Sequence, residues 1–293
     1  MPIISRRQCL KQTAAVGFAS ALAPLESLRL VAPGKMKLGL VTYLWGKSWD
    51  LPTLIANCES TGILGVETRT EHAHGVEPKL NSTQRQEVKQ RFADSPVELV
   101  GYGSNCQFHE DDPGKVKANI EQAKAYLQLM HDCGGSGLKV KPNGFVKGVE
   151  HAKTIEQIGR AFNEVARFGA NLGQQVRVEV HGKQTQLLPN IKAIMDVADH
   201  PNMTVCWNSN ASDLDGDGLK SNFDLVKDRF GDTAHVRELN VGDYPYADLI
   251  KLFVEMKYTG WILLECRTKP KDLLAALREQ KSVFARLIKR AQS

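Results

Sequence analysis

Short apolar runs and helix-forming stretches alternate eight times along this chain, with no Pro/Ser-rich linker between them. The runs are KLGLVTY (37–43), GVET (65–68), ELVGYG (98–103), GLKVKP (137–142), VRVEVHG (176–182), MTVCWN (203–208), AHVRELN (234–240) and GWILLECR (260–267). A helix follows each. The first has Asp50 as its cap, Pro52 in its first turn and Gly62 beyond its end. The others are expected over 82–93, 114–132, 154–172, 185–199, 223–230, 246–257 and 271–290. Eight β–α pairs predict parallel strands closed into one (β/α)8 barrel over residues 36–293. A doubly wound open sheet would carry a glycine-rich phosphate loop after its first strand, and TYLWGKSWD is not one.

The fifth run shows what such a barrel would hold. Val176, Val178 and Val180 alternate with Arg177, Glu179 and His181, so one face is apolar and the other carries every polar group. With the valines under helices, the polar face points into the barrel, where a carboxylate needs an arginine or a metal ion to hold it. Gly182 ends the run and leaves Glu179 and His181 near the C-terminal mouth, where barrels keep their functional groups. The sixth run brings Trp207 and Asn208 there, the seventh His235 and Arg237, and the eighth Glu265 and Arg267. Two carboxylates, an imidazole and an amide oxygen from successive strands suit a divalent ion that takes mixed O/N ligands. The competing reading pairs both glutamates with Arg177, Arg237 and Arg267 in a buried ion network.

Residues 5–11, SRRQCLK, precede an apolar, small-residue run from Ala14 to Ala23 with A-x-A-like exits. This resembles a twin-arginine export signal with Cys9 where a large apolar residue is usual. Residues 1–35 are therefore read as signal peptide and short linker, and the mature protein as exported, in the periplasm. Loss of Arg6, Arg7 and Lys11 with the leader lowers the net charge from +5 to +2. No basic face interleaved with aromatics suggests nucleic acid, and no later apolar run is long enough to span a bilayer. Cys58, Cys106, Cys133, Cys206 and Cys266 show no C-x-x-C spacing, which argues against a thiolate metal site. DLDGDGLKSNFD (213–224) matches a calcium-loop pattern but follows a strand rather than a helix.

The segments GVETRTEHAHGVE, GLKVKPN, VEVHG, VCWNSNASD, HVRELN and GWILLECR resemble the xylose isomerase-like TIM barrels, specifically the sugar phosphate isomerase/epimerase family with its ketose 3-epimerase relatives. The resemblance implies one divalent metal, Mn²⁺, Co²⁺, Zn²⁺ or Mg²⁺, on Glu179, Asn208, His235 and Glu265. It further implies that Glu179 and Glu265 act as the acid/base pair in proton abstraction next to a carbonyl, through a metal-stabilised enediolate. The family usually has aspartate where Asn208 stands, and a histidine where Ala211 stands. The expected substrate contacts are His181, Arg237, Glu67, His74, Lys141, Trp45 and Arg267. The expected partner is a small carbohydrate, with self-association left open. The leading function is a sugar isomerase or epimerase. Two alternatives are a lyase acting on 3-keto-glycosides by the same enediolate and a metal-free sugar-binding barrel, the latter motivated by Asn208. Replacing both Arg6 and Arg7 with Lys is expected to hold the precursor in the cytoplasm on cell fractionation, and unchanged export would remove the twin-arginine reading.

Overall fold

A computed structural model of the chain describes residues 36–293. Its elements are β1 (Lys37–Val41), α1 (Leu51–Thr61), β2 (Gly65–Arg69), α2 (Ser82–Ala93), β3 (Glu98–Gln107), α3 (Pro113–Cys133), β4 (Gly137–Lys141), α4 (His151–Asn171), β5 (Gln175–Glu179), α5 (Leu188–Val197), β6 (Met203–Cys206), α6 (Gly218–Asp224), β7 (Thr233–Val236), α7 (Tyr246–Glu255), β8 (Trp261–Leu264) and α8 (Leu273–Ala291). The local signals act as expected. Asp50 accepts a hydrogen bond from Thr53 N at 2.9 Å, and Gly62 ends α1 in the left-handed region. Asn81 and Gln84 form a reciprocal capping box at α2.

All strand pairs are parallel, in the order β6-β5-β4-β3-β2-β1-β8-β7. The barrel nearly closes. Between β6 and β7 the ladder is replaced by isolated bridges, Val205–Phe230 and Asn208–His235. His235 N donates to Trp207 O at 2.6 Å across this seam. The main core lies between strands and helices: Val176, Val178 and Val205 pack outward with Ile158, Phe162 and Ile191. A smaller cluster, Val41, Val100, Trp261 and Leu263, fills the barrel interior.

Arg177 occupies the interior beneath the mouth. It is wholly buried, and its guanidinium donates to Gln175 Oε1 at 2.7 Å, Val100 O at 3.1 Å and Ser136 Oγ at 2.8 Å. Glycines make this possible. A methyl at Gly101 would lie 2.9 Å from the Arg177 guanidinium, one at Gly137 would meet Arg177 and the Gln175 carbonyl, and one at Gly65 would overlap the Trp261 ring. Small residues on β2–β4 thus face large ones on β5 and β8, the usual way to fill a narrow barrel.

Two expectations need correction. The helix read over 223–230 is instead α6, Gly218–Asp224, followed by a 3₁₀ turn at Lys227–Arg229. Phe223 and Phe230 do share one apolar cluster, with ring centroids 5.0 Å apart, but the chain bends between them. β6 and β8 stop short of Asn208 and Glu265, at Cys206 and Leu264, and β5 and β7 end at Glu179 and Val236, whereas β3 runs on to Gln107. The calcium-loop pattern is not a cation cage: Asp213 accepts from Asn210 N and Tyr244 Oη, and Asp224 is paired with Lys220 and Lys227. The five described cysteines are buried and unbridged. No helix of the described residues is long and apolar enough to cross a membrane. The expected export leader, residues 1–35, lies outside the described residues. Gly137→Ala is expected to lower stability by about 1–3 kcal/mol, read as a lower denaturant midpoint, and an unchanged midpoint would contradict this packing.

Candidate functional site: a carboxylate and histidine cluster at the barrel mouth

Glu179 is the last residue of β5, His235 lies within β7, and Glu265 directly follows β8. Each offers a ligand atom, and these atoms all lie within 4.8 Å of one another. Their side chains are at most 5% exposed. Carboxylates so placed require counter-charges. Lys139 Nζ, itself fully buried on β4, contacts Glu179 Oε2 at 2.6 Å, and Arg69 Nη1 contacts Glu265 Oε1 at 2.8 Å. His235 sits between two carboxylates, with Nε2 3.1 Å from Glu67 Oε1 and Nδ1 3.7 Å from Glu179 Oε1. Neither approach is aligned as a hydrogen bond, so both ring nitrogens and both Glu67 oxygens are buried without a hydrogen-bond partner.

The charges follow from these contacts. Burial alone would raise the Glu179 carboxyl, but the Lys139 ammonium and His235 hold it well below the usual carboxylate range. Burial would likewise raise Glu67, and His235 and Lys139 outweigh it. Burial would lower the His235 imidazole, and Cys206 together with Glu67 and Glu179 lifts it well above its ordinary value. The Lys141 ammonium is pushed down to about 8 by burial and by the neighbouring Lys139 and Arg69.

The sequence-predicted residues separate into those at the cluster and those away from it. Asn208 is there, but its Nδ2 donates to Glu179 Oε1 at 3.0 Å rather than presenting an oxygen to the group. His181 is half-buried beside it, with Nδ1 unpartnered, and burial is the first cause that lowers its imidazole. Arg237 is half-buried with an unpartnered Nε. Lys141 reaches Asn105 Oδ1 at 2.9 Å. Glu67, expected to touch sugar, is wholly buried and faces His235 instead. Trp45 is packed in the core with its indole nitrogen donating to Thr268 O at 2.9 Å. Both His74 nitrogens are used by its own loop, on Arg69 O and Val76 N. Arg267 is exposed, and only its backbone N–H is tied down, to Glu238. Lys139, two residues before Lys141 on β4, is committed to Glu179. Asn105 lies beyond the run 98–103 that the sequence marks as the third strand; β3 extends to Gln107 and carries it to the mouth.

Residues 55–287 match a family described as the xylose isomerase-like TIM barrel. The chain belongs to that family. This xylose isomerase-like barrel aligns with L-ribulose 3-epimerase over 88% of its own length and 96% of that chain, with TM-score 0.75 and 12% identity. With the E. coli 3-keto-D-glucoside 4-epimerase YcjR the coverage is 86% and 100%, the TM-score 0.73 and the identity 14%. With the IOLI protein, solved with a binding zinc atom, the values are 87%, 98%, 0.73 and 12%. These likenesses establish the fold. No curated protein sequence matches the chain.

The donor set fits a divalent cation. Two carboxylates and an imidazole converge from three strands, and the imidazole nitrogens have no other hydrogen-bond partner. Such O/N/O sets suit Mn²⁺, Co²⁺ and Zn²⁺, and suit Mg²⁺ less because of the imidazole. Glu67 is placed to hold the ring that would face the ion. A metal takes neutral imidazole, so it competes with the proton that the two carboxylates favour on His235.

Asn208→Asp is expected to set a second carboxylate about 3 Å from Glu179 Oε1, where the amide now donates. Without metal the two charges repel, and with metal they cooperate. The variant should therefore melt lower than wild type in EDTA and bind Mn²⁺ on the order of ten-fold more tightly, about 1.4 kcal/mol. Equal metal affinity and an unchanged melting temperature in EDTA would remove Asn208 from the cluster.

Proposed function

We propose that this barrel is a metal-dependent sugar isomerase or epimerase that abstracts a proton from the carbon next to a carbonyl. The observation that carries the reading is the convergence of Glu179, His235 and Glu265 at one point of the barrel mouth. Family membership and the fold shared with ketose and keto-glucoside epimerases support it. A divalent ion held by Glu179, His235 and Glu265 would supply Lewis-acid polarisation of the substrate's carbonyl and adjacent hydroxyl.

The protein's own groups supply the acid and the base. Glu179 and Glu265 come from strands three apart around the barrel, so a sugar carbon between them is approached from two sides. One carboxylate takes the carbon-bound proton, and the other, in its protonated form, returns a proton to the opposite face. The carbon loses and regains one proton, and no electrons leave the substrate. Lys139 and Arg69 keep the two carboxylates in place by fixing one oxygen of each. Negative charge developing on substrate oxygens meets the cations Lys141 and Arg237 at the mouth. The enzyme is proposed to work outside the cytoplasm after export, on unphosphorylated keto-sugars.

Incubation of the Mn²⁺-loaded protein with keto-sugars in D₂O reads the step directly as deuterium incorporation at carbon. Glu179→Gln and Glu265→Gln preserve shape and an oxygen donor but remove the base, and each is expected to slow exchange about 10²–10⁴-fold. Absence of exchange in the wild type, or full exchange in both variants, would sink the mechanism.

A further inference from the structure

The ion pairs of the mouth leave Lys141 and Arg237 without a carboxylate among the described residues, and of the two it is Lys141 that shares an acceptor with a second cation. Glu67 lies against His235, Glu179 against Lys139, and Glu265 against Arg69. Lys141, the last residue of β4, has no carboxylate within ion-pairing distance among the described residues. Its Nζ donates instead to Asn105 Oδ1 at 2.9 Å, and Arg69 Nη2 donates to the same oxygen at 3.2 Å. Two cationic heads therefore converge on one neutral amide oxygen. That amide belongs to an exposed residue, in the stretch of β3 where the register with β4 shifts.

This arrangement is held against its own repulsion. Lys141 is half-buried beside Lys139 and Arg69, which is why its ammonium is pushed down to about 8. Nothing on the strand-six side compensates, because Asn208 brings an amide and no charge. A neutral amide oxygen is the weaker acceptor for a cationic donor, and a carboxylate is the stronger one of the same planar shape. The Asn105 carboxamide thus holds the place of a carboxylate without supplying its charge.

We propose that the barrel mouth binds a sugar acid, whose carboxylate displaces the Asn105 amide and sits between Arg69 and Lys141. This rests on the sugar reading above and names the substrate class within it. Arg69 ties the two parts of the site together: Nη1 holds Glu265, and Nη2 is offered to the ligand. The Tyr43 ring, 5.2 Å from the Arg69 guanidinium carbon, keeps that guanidinium in place as its anion changes. A planar carboxylate fits where a planar amide already sits. A phosphate monoester, tetrahedral and doubly charged, does not copy that shape.

Calorimetric binding to the Mn²⁺-loaded protein tests this with three ligands that have no carbonyl and cannot turn over: D-gluconate, D-glucitol and D-glucitol 6-phosphate. Gluconate is expected to bind about ten-fold or more tightly than glucitol, the worth of one charge-assisted hydrogen bond, and more tightly than the phosphate. Lys141→Met removes one cation, and Asn105→Asp supplies the site with a carboxylate of its own. Both variants should bring the gluconate preference down to about three-fold or less. A wild type without the preference, a preference that survives in either variant, or tighter binding of the phosphate would overturn the proposal. The two readings fail separately. If the proposal alone is wrong, neutral keto-sugars still exchange deuterium; if the reaction is wrong, no keto-sugar exchanges while the gluconate preference persists.

Discussion

The contact on which the mouth depends is the buried pair between Lys139 and Glu179, 2.6 Å apart with neither side chain open to water. Each charge alone would be strongly disfavoured in that interior, and each is tolerable only because the other is there. The pair sets a carboxylate at the end of β5 and keeps it ionised. It also fixes which oxygen faces the cluster, because Oε2 is held by Lys139 while Oε1 is left towards Asn208 and His235. Replacing both partners with apolar residues of similar volume would preserve a barrel and remove the carboxylate from its mouth.

The rest of the site repeats that logic around the barrel. Glu265 is fixed by Arg69, His235 by Glu67, and the guanidinium of Arg177 fills the floor beneath them. The seam between β6 and β7 belongs to the same design. Its strands give up a regular ladder, and one of the two bridges that join them is Asn208–His235, at the cluster itself. Beyond the seam, Trp207 Nε1, Tyr244 Oη and Asp213 Oδ2 form a hydrogen-bonded chain that ties the loops after β6 and β7 together. Burial pushes the Asp213 carboxyl up to about 7, so this tie changes charge near neutrality.

Much of this was legible along the chain. The eight alternations predicted the barrel, and strict parity in VRVEVHG predicted that Glu179 faces inward while the valines face the helices. In the structure, alternation along β2 and β4 sets Glu67 with Arg69, and Lys139 with Lys141, on shared faces. Depth along a strand was harder to read, because two residues of one parity sit at different levels. Lys139 is sealed inside while Lys141, one level up, is partly open. Glu67 is sealed beneath His235 whereas Arg69 reaches the mouth. Trp45 and His74 follow their strands closely enough to look like mouth residues, but their loops fold back and commit their polar atoms to backbone.

What the sequence determined by itself is therefore periodicity and chemistry: which residues alternate, which helices are capped, and which strands end in Glu, His and Glu. These depend on neighbours two to four positions away, which the chain carries in order. What the tertiary structure decided is partnership. Lys139 is 40 residues from Glu179, and Arg69 is 196 residues from Glu265. Nothing in local spacing selects those partners over the other arginines and lysines of the same parity. The choice follows from the stagger of strands around the closing barrel, which sets the height of each side chain, and from the small residues that leave room for the large ones opposite.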